Sequence, residues 1–267
     1  MISGRTRVFA ILGNPVSHSL SPAMQNAAFR ALGLDAVYVP IACAPGQVAA
    51  AMRLLAAAGG GGNVTVPHKH ESASALTRPS DLVTRIGAAN TFWGEGGELS
   101  GDNTDVAGIL SALDGLELPK GPWLVAGTGG SARAVAAAAA QRGTRLAVRS
   151  RSEAHRTEFE AWARGIGVEP ADHRECRVLI NATPLGLQNG DRQPLSADEA
   201  PEAEVALDLV YAKRQTVWIR TMQEEGLRAA DGRGMLVAQG AAAFRHWFPA
   251  EDAPVEIMRA AVEDALR

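Results

Sequence analysis

Short apolar segments alternate with helical patterns along most of this 267-residue chain. Residues 8–12, 37–41, 123–126 and 146–148 are such segments, and glycine, proline or polar residues bound them, which is typical of buried strands. Strands separated by helices form β-α-β units, whose strands pair in parallel because the helix returns the chain to the same end of the sheet. The sequence therefore predicts an α/β fold with mainly parallel sheets.

A glycine-rich turn follows the apolar segment 123–126 and precedes an alanine-rich helix predicted over residues 134–141. In a dinucleotide-binding turn, the first glycine permits the tight turn, the second admits a pyrophosphate, and the third position packs helix on strand. The N-terminus of the helix adds free N–H groups and a positive dipole end. The alternative is a glycine-rich turn without a ligand. The candidate cofactor contacts are Gly127, Thr128, Gly129, Gly130, Ser131 and Ala132.

A basic segment ends the following strand and consists of Arg149, Ser150, Arg151 and Ser152. Sites for NAD usually carry Asp or Glu about 20 residues after the glycine turn, where the carboxylate binds the ribose 2′-hydroxyl. This chain has two arginines there, and arginine binds phosphate with two parallel hydrogen bonds. The segment therefore predicts a preference for NADP. The alternative is a solvated run of charge at the end of a strand.

Polar side chains in the first half of the chain follow strands or begin helices. Ser21 is predicted as a helix N-cap, and its hydroxyl beside the helix dipole also suits a carboxylate. Thr65 could donate to a substrate oxygen. Lys69 could carry a proton, although a lysine at a helix start is more often simply solvated. Asp105 adds a further polar group around a predicted hairpin, and taken alone it is interpreted as the N-cap of a helix over residues 106–113.

Taken together, these segments resemble the shikimate dehydrogenase family over nearly the whole chain. The matching segments are residues 13–15, 18–22, 63–69, 87–91, 101–105, 127–133, 181–186, 208–211 and 234–240. The resemblance implies NADP-dependent, reversible reduction of 3-dehydroshikimate to shikimate in aromatic amino-acid (chorismate) biosynthesis. It also implies two α/β domains with the active site in the cleft between them. Residues 1–105, completed by helices within 236–267, would bind the substrate, and residues 106–235 would form a Rossmann domain for NADP.

The same resemblance implies roles for individual residues. Lys69 and Asp105 match the catalytic pair of the family, with Lys69 carrying the proton. The residues that match substrate contacts are Ser19, Ser21 and Tyr211 for the carboxylate, and Thr65, Lys69, Asn90, Asp105 and Gln239 for the ring hydroxyls. Thr183 joins the cofactor contacts, and Met235 falls near the expected nicotinamide. Ser150 and Ser152 replace the Asn and Thr of a common Asn-Arg-Thr motif for the 2′-phosphate, and Arg149 is expected to compensate.

Composition disfavours several other kinds of protein. Lys and Arg total 26 against 29 Asp and Glu, and this net charge of −3 argues against a nucleic-acid binder. The chain has neither a polybasic membrane patch nor a long apolar run, and it begins without a signal-peptide pattern, so a cytoplasmic location is expected. Cys43 and Cys176 are too few for a disulfide framework or zinc site and are expected to be packing residues. We expect no metal, and either a monomer or a homodimer.

Two alternative functions stay open. A quinate/shikimate or aminoshikimate-type dehydrogenase would share these motifs, although Ser21 stands where quinate-using enzymes often carry threonine and so favours shikimate. A non-catalytic, NADPH-binding regulatory protein on the same fold would not need both Lys69 and Asp105. Finally, the acidic segment 198–204 is expected to be a solvated surface loop with no further role.

Overall fold

Strands and helices alternate along the chain in a computed structural model, which describes residues 2–188 and 190–267. The strands are β1 (Arg7–Gly13), β2 (Ala36–Ala42), β3 (Gly61–Val64), β4 (Arg78–Pro79), β5 (Thr91–Glu95), β6 (Glu98–Asp102), β7 (Trp123–Ala126), β8 (Leu146–Arg149), β9 (Val178–Asn181), β10 (Val205–Asp208) and β11 (Arg228–Ala230). The helices are α1 (Ser21–Ala31), α2 (Val48–Ala57), α3 (Lys69–Ala75), α4 (Asp81–Ile86), α5 (Asp105–Asp114), α6 (Gly130–Arg142), α7 (Glu153–Gly165), α8 (Val217–Glu224), α9 (Arg233–Trp247) and α10 (Val255–Ala265). No helix within the described ranges is long and apolar enough to cross a membrane.

The chain divides into two units. The first unit runs up to Asp105 and resumes at Leu236, and the second unit is Val106–Met235. The first unit contains a six-stranded sheet in the order β2-β1-β3-β5-β6-β4. Strand β1 pairs in parallel with β2 and β3, and β4 pairs in parallel with β6, whereas β3–β5 and β5–β6 are antiparallel. The predicted parallel character therefore holds for most pairings, and the β5–β6 hairpin makes the sheet mixed.

An aromatic cluster explains why the C-terminal helices belong to the first unit. Phe9 on β1 lies 5.4 Å from the ring of Phe29 on α1, 5.1 Å from Trp247 at the end of α9 and 5.4 Å from Phe248. Tilted aromatic pairs at these distances stabilise packing beyond the burial of their area. Helix α10 packs against α1 on the same side of the fold. The end of the chain thus completes the core that its beginning starts.

The second unit contains a five-stranded, fully parallel sheet in the order β11-β10-β9-β7-β8. In the register of this sheet, Ala126 pairs with both Arg149 and Asn181, and Asn181 also pairs with Asp208. The carboxyl ends of β8, β7, β9 and β10 therefore lie side by side. Ligands of open α/β sheets bind outside this edge, so residues that follow these strands are placed together.

The helix starts differ from the sequence prediction at three places. Helix α6 begins at Gly130 rather than at residue 134, because its first turn includes the glycine-rich segment despite the low helix propensity of glycine. Ser21 is the first residue of α1, and the N-cap is Leu20. Asp105 is likewise the first residue of α5, and its carboxylate bonds to Lys69 and Asn90 rather than capping the helix. The two N-cap predictions are therefore wrong.

Several short elements were not predicted. They are β4, α4, α8 and β11. Strand β4 contains a proline, and α4 has six residues, so neither shows a clear hydrophobic period. Helix α8 had a recognisable start signal in Thr216, whose hydroxyl accepts from the N–H of Ile219. The sequence of residues 63–66, which Pro67 ends, predicts a strand as far as Val66, but β3 ends at Val64 and leaves Thr65 in the segment that follows.

Candidate active site

A buried ion pair forms the centre of the polar site in the first unit. Lys69 is the first residue of α3, and Asp105 is the first residue of α5. Lys69 Nζ donates to Asp105 Oδ2 at 2.5 Å, and the two residues are 9% and 5% exposed. Asp105 Oδ1 accepts from Asn90 Nδ2 at 2.8 Å. Both oxygens of the carboxylate are therefore engaged, which fixes its orientation toward the ammonium.

The side chain of Asn90 is itself held in place. Its Oδ1 accepts the backbone N–H of Thr104 at 2.7 Å and the hydroxyl of Thr91 at 3.0 Å. Asn63 Nδ2 donates to the backbone oxygen of Asn90 at 3.1 Å. Gln239 Oε1 lies 3.5 Å from Asn90 Nδ2, at the edge of hydrogen-bond distance. These supporting residues fix the rotamer of Asn90, and through it the carboxylate that faces Lys69.

Sequence reasoning missed most of this supporting layer. Asn63 and Thr104 are buried, and Tyr38 on β2, two strands away from Asn63, donates its hydroxyl to Asn63 Oδ1 at 2.7 Å. Asn103 Oδ1 accepts the backbone N–H of Asp105 at 3.1 Å. Asn63, Asn103 and Thr104 all lie within motifs that matched the family. Their polarity next to a strand end was a usable signal, but their partners are set by the register of the sheet.

Three other predicted substrate contacts lie outside this hydrogen-bonded group. Ser19 Oγ accepts the backbone N–H of Ser21 at 3.2 Å, so these two residues form a local pair at the start of α1. Thr65 follows β3, and its N–H donates to the backbone oxygen of Leu12 at 2.9 Å. A Cβ at Gly13 would clash with Thr65 Cγ2. Glycine at the end of β1 therefore permits the close approach of Thr65.

A second ionisable cluster lies next to the segment that leads to Asp105. Asp102 accepts from Ser80 Oγ at 2.6 Å and from the N–H of Asn103 at 2.8 Å, and its Oδ2 lies 3.1 Å from His246 Nε2. The His246 ring stacks on Trp93 at 4.4 Å. Burial raises the pKa of Asp102, but the hydrogen bonds from His246, Ser80 and Asn103 outweigh it, so the pKa is lowered. The cluster was not anticipated from the sequence.

The glycine turn of the second unit has the geometry that a dinucleotide needs. Gly127 has a φ of +108°, and a Cβ there would lie 2.9 Å from the backbone oxygen of Ala182. A larger residue would therefore be strained at this position. Gly129 is the N-cap of α6, and no atom lies within 4 Å of where its Cβ would be. Ala132 is fully buried against the sheet. The open N-terminus of this 13-residue helix fits a diphosphate.

Two exposed arginines lie at the end of β8 and just after it, and the first of them is already paired. Arg149 Nε donates to Glu199 Oε2 at 2.9 Å, and the Arg149 side chain is 51% exposed. Arg151 is exposed. Ser152 caps α7 by accepting the N–H of His155, and Ser150 Oγ accepts the N–H of Ser152, both at 3.3 Å. The segment can therefore bind a phosphate, with Arg149 in competition with Glu199.

The acidic segment 198–204 is more than a solvated loop, so that prediction is wrong. Glu199 completes a capping box with Ser196 and engages Arg149. Glu204 accepts from Arg177 Nε at 2.9 Å. The sequence could not show this, because the arginine partners lie on other strands and strand ends of the sheet.

The remaining predicted contacts lie at the ends of β9 and β10 and in α9. Thr183 Oγ1 donates to Asn181 Oδ1 at 2.7 Å, and Tyr211 lies three residues after β10. Met235 is buried in α9. Asn181 and Asp208, which hold the segments of Thr183 and Tyr211, were not predicted as functional residues. Within the described residues, no group of three or more His, Cys, Asp and Glu side chains is arranged to hold a metal ion.

Comparisons with known proteins bear on both units. A family sequence model described as the shikimate dehydrogenase substrate binding domain matches residues 11–92. Another, described as the shikimate 5′-dehydrogenase C-terminal domain, matches residues 232–263. Shikimate dehydrogenase (NADP(+)) of Trichormus variabilis is 36% identical over 288 residues, covering 100% of this chain and 99% of that protein. The enzyme of the same name from Thermus thermophilus is 41% identical, covering 90% of this chain and 91% of that protein.

A solved structure extends the similarity to three dimensions. The crystal structure of a shikimate 5-dehydrogenase from Thermus thermophilus, in complex with NADP(H) and shikimate, superposes with a TM-score of 0.88. The two chains are 37% identical, and the match covers 99% of this chain and 100% of that one. These findings confirm the resemblance and the α/β fold class predicted from the sequence. With full-length relatives well above 30% identity, the chain belongs to the shikimate dehydrogenase family.

Proposed function

We propose that this chain catalyses the reversible, NADP-dependent reduction of 3-dehydroshikimate to shikimate, a step of aromatic amino-acid biosynthesis. The observation that carries the proposal is the buried ion pair of Lys69 and Asp105, held by Asn90. Full-length similarity to proteins named shikimate dehydrogenase (NADP(+)) supports the same reaction. A protein that only bound NADPH would have no use for a buried ammonium oriented by a carboxylate.

Lys69 is the group that we assign to proton transfer. As the substrate carbonyl becomes a hydroxyl, negative charge develops on its oxygen, and an adjacent ammonium stabilises that charge and donates the proton. Asp105 directs the ammonium through the 2.5 Å contact, and Asn90 prevents the carboxylate from rotating away. In the oxidation direction the neutral amine accepts the proton. The rate of shikimate oxidation should therefore rise with pH.

The other polar residues of the first unit are assigned to substrate recognition. Hydroxyl donors suit a carboxylate, because hydrogen bonds to a charged acceptor are the stronger ones. We assign Ser19 and Ser21, together with Tyr211 of the second unit, to the substrate carboxylate. Thr65 and Gln239, with the Asn90 group, are assigned to the ring hydroxyls. The location of the active site between the two domains stays a prediction.

The second unit is assigned to NADP. The turn at residues 127–132 and the N-terminus of α6 would hold the pyrophosphate, and Arg151 with Ser150 and Ser152 would hold the 2′-phosphate. Arg149 would join them by exchanging Glu199 for the phosphate. Thr183 and Met235 are assigned to the nicotinamide end. When bound, the cofactor supplies the hydride for reduction and takes it up in oxidation.

An assay with four substrate and cofactor combinations tests this function. Purified protein is mixed with shikimate or quinate and with NADP or NAD, and formation of the reduced cofactor is followed by absorbance. We expect turnover with shikimate and NADP to exceed every other combination by about tenfold or more. Turnover with quinate but not shikimate would identify a quinate-type relative. Tight NADPH binding without turnover of either acid would instead indicate a binding protein.

A further inference from the structure

A fully buried carboxylate lies at the end of β10 and takes no part in the steps above. Asp208 has no exposed surface. Its Oδ1 accepts from Asn181 Nδ2 at 2.8 Å and from the backbone N–H of Val210 at 3.0 Å. Its Oδ2 accepts from Thr216 Oγ1 at 2.8 Å. These three donors are neutral and belong to two parts of the chain, the end of β9 and the segment that follows β10, so one side chain joins both parts.

The first connection holds the segment that carries Tyr211. Residues 209–216 run from the end of β10 to the start of α8. Both ends of this segment bond to the same carboxylate, through Val210 at one end and Thr216 at the other. Tyr211 follows Val210 directly. Asp208 therefore contributes to the position of the Tyr211 backbone, together with the N–H of Gly232, which donates to the backbone oxygen of Val210 at 3.0 Å.

The second connection runs through Asn181 to the segment that carries Thr183. Asn181 Nδ2 donates to Asp208 and also to the backbone oxygen of Leu185 at 3.0 Å. Asn181 Oδ1 accepts the N–H of Thr183 at 3.0 Å and its hydroxyl at 2.7 Å. The amide of Asn181 is itself fully buried. Asp208 thus fixes which way this amide faces, and the amide shapes the turn at Thr183.

We propose that Asp208 is a positioning residue that sets the substrate-contacting Tyr211 segment through Thr216, and the cofactor-contacting Thr183 turn through Asn181. The inference rests on the roles assigned to Tyr211 and Thr183 in the proposed function. A carboxylate suits this task because it offers two acceptor oxygens and no donor, so all three neighbours can donate at once. Thr216 bonds to Oδ2 of Asp208, whereas Asn181 and Val210 share Oδ1. The bond to Thr216 can therefore be cut while the other two remain.

Replacing Thr216 cuts the bond to Asp208 Oδ2 without replacing Asn181. Thr216→Val keeps the shape of the buried side chain but removes the hydroxyl that bonds to Asp208 and caps α8 at Ile219, and Thr216→Ser keeps that hydroxyl. Thr221→Val is the matched control, because Thr221 lies in the same helix and its hydroxyl bonds only at the exposed surface in the described contacts. For each protein we would measure the KM for shikimate, the Kd of NADPH by fluorescence titration and the Tm.

The two connections predict different effects on the KM for shikimate and on the Kd of NADPH. Thr216→Val should raise the KM for shikimate by about 3- to 10-fold, the effect of one lost hydrogen bond, with the Kd of NADPH unchanged. Thr216→Ser should restore the KM, and Asn181→Ala should raise the Kd of NADPH. Because Asn181→Ala risks poor folding, the Thr216 series alone decides the first connection.

A purely structural role would lower the Tm of Thr216→Val and leave both constants unchanged, or shift both equally, and either result would overturn the inference. The inference would also be overturned if Thr221→Val raised the KM for shikimate as much as Thr216→Val does. A wild-type protein that does not turn over shikimate would refute the proposed function, and the inference with it. An active wild type with an unchanged KM in Thr216→Val would refute the inference alone.

Discussion

The replacement Asp208→Asn gives a pH-dependent change in stability that can be worked out from the structure. Burial raises the pKa of Asp208 from its ordinary 3.8 to about 6. The hydrogen bonds from Thr216, Val210 and Asn181 oppose this rise, and repulsion from Asp231 adds to it. Asparagine has nearly the same shape and cannot titrate. The variant therefore removes the charge while keeping a side-chain oxygen for Asn181 and Val210.

The sign and size follow from the two pKa values. Below pH 3.8 the Asp208 carboxyl is protonated in the folded and unfolded protein alike, so it adds no pH dependence. Between 3.8 and about 6 the unfolded chain releases its proton first, so the folded protein loses stability as the pH rises. At about 1.4 kcal/mol per pH unit, the total loss is about 3 kcal/mol, complete above the folded pKa. The free energy of unfolding of Asp208→Asn relative to wild type should rise by this amount.

Urea unfolding followed by circular dichroism over a pH series measures this difference directly. The quantity to compare is the free energy of unfolding of the variant minus that of the wild type at each pH. Asp252→Asn is the control, because Asp252 is exposed, and its difference should stay within about 0.5 kcal/mol. A difference for Asp208→Asn that stayed flat or fell with rising pH would refute the argument that burial outweighs the hydrogen bonds.

Three further predictions concern the cofactor site and the core. Gly127→Ala should raise the Kd of NADPH by about tenfold in a fluorescence titration, because the added Cβ would meet Ala182 at a strained backbone position. An unchanged Kd would contradict the assignment of the glycine turn to the cofactor. Arg151→Ala should raise the KM for NADP more than Arg149→Ala does, since Arg149 is engaged by Glu199; the reverse order in steady-state kinetics would contradict this. Phe9→Ala should lower the free energy of unfolding by about 3–5 kcal/mol in urea titrations, and a loss below about 1 kcal/mol would show that the aromatic cluster is not central.

Much of the fold could be predicted from local patterns. Strand β7 lies where the apolar segment placed it, and Gly143 ends α6 in a left-handed conformation, as the glycine there indicated. The elements that were missed are short or carry weak periodicity, such as β4 and β11. Local patterns also did not show the mixed character of the first sheet. A hairpin is visible in the sequence, but its pairing with β3 depends on the tertiary fold and not on local residues.

The sequence indicated the two residues of the buried ion pair but not the layer that supports them. Lys69 and Asp105 lie 36 residues apart in sequence, and the structure joins them by a hydrogen bond, while their catalytic role stays a prediction. The residues that hold them, such as Asn63, are uncharged and buried, and nothing in their local sequence identifies a partner. Asp208 and Asn181 were also missed, because nothing in their local sequence identifies a partner. Their bond depends on the alignment of β9 and β10, which only the folded sheet defines.

The measurement that tests the central claim most directly is the pH dependence of shikimate oxidation by wild type and Lys69→Ala. We expect the wild-type kcat with NADP to rise with pH, because Lys69 must accept a proton in the oxidation direction. Lys69→Ala should lose about 10²- to 10⁴-fold in kcat and lose this rise, whereas the control Lys120→Ala, at an exposed lysine, should match the wild type. A Lys69→Ala protein that retained the wild-type rate and pH profile would contradict the assignment of Lys69 as the proton carrier.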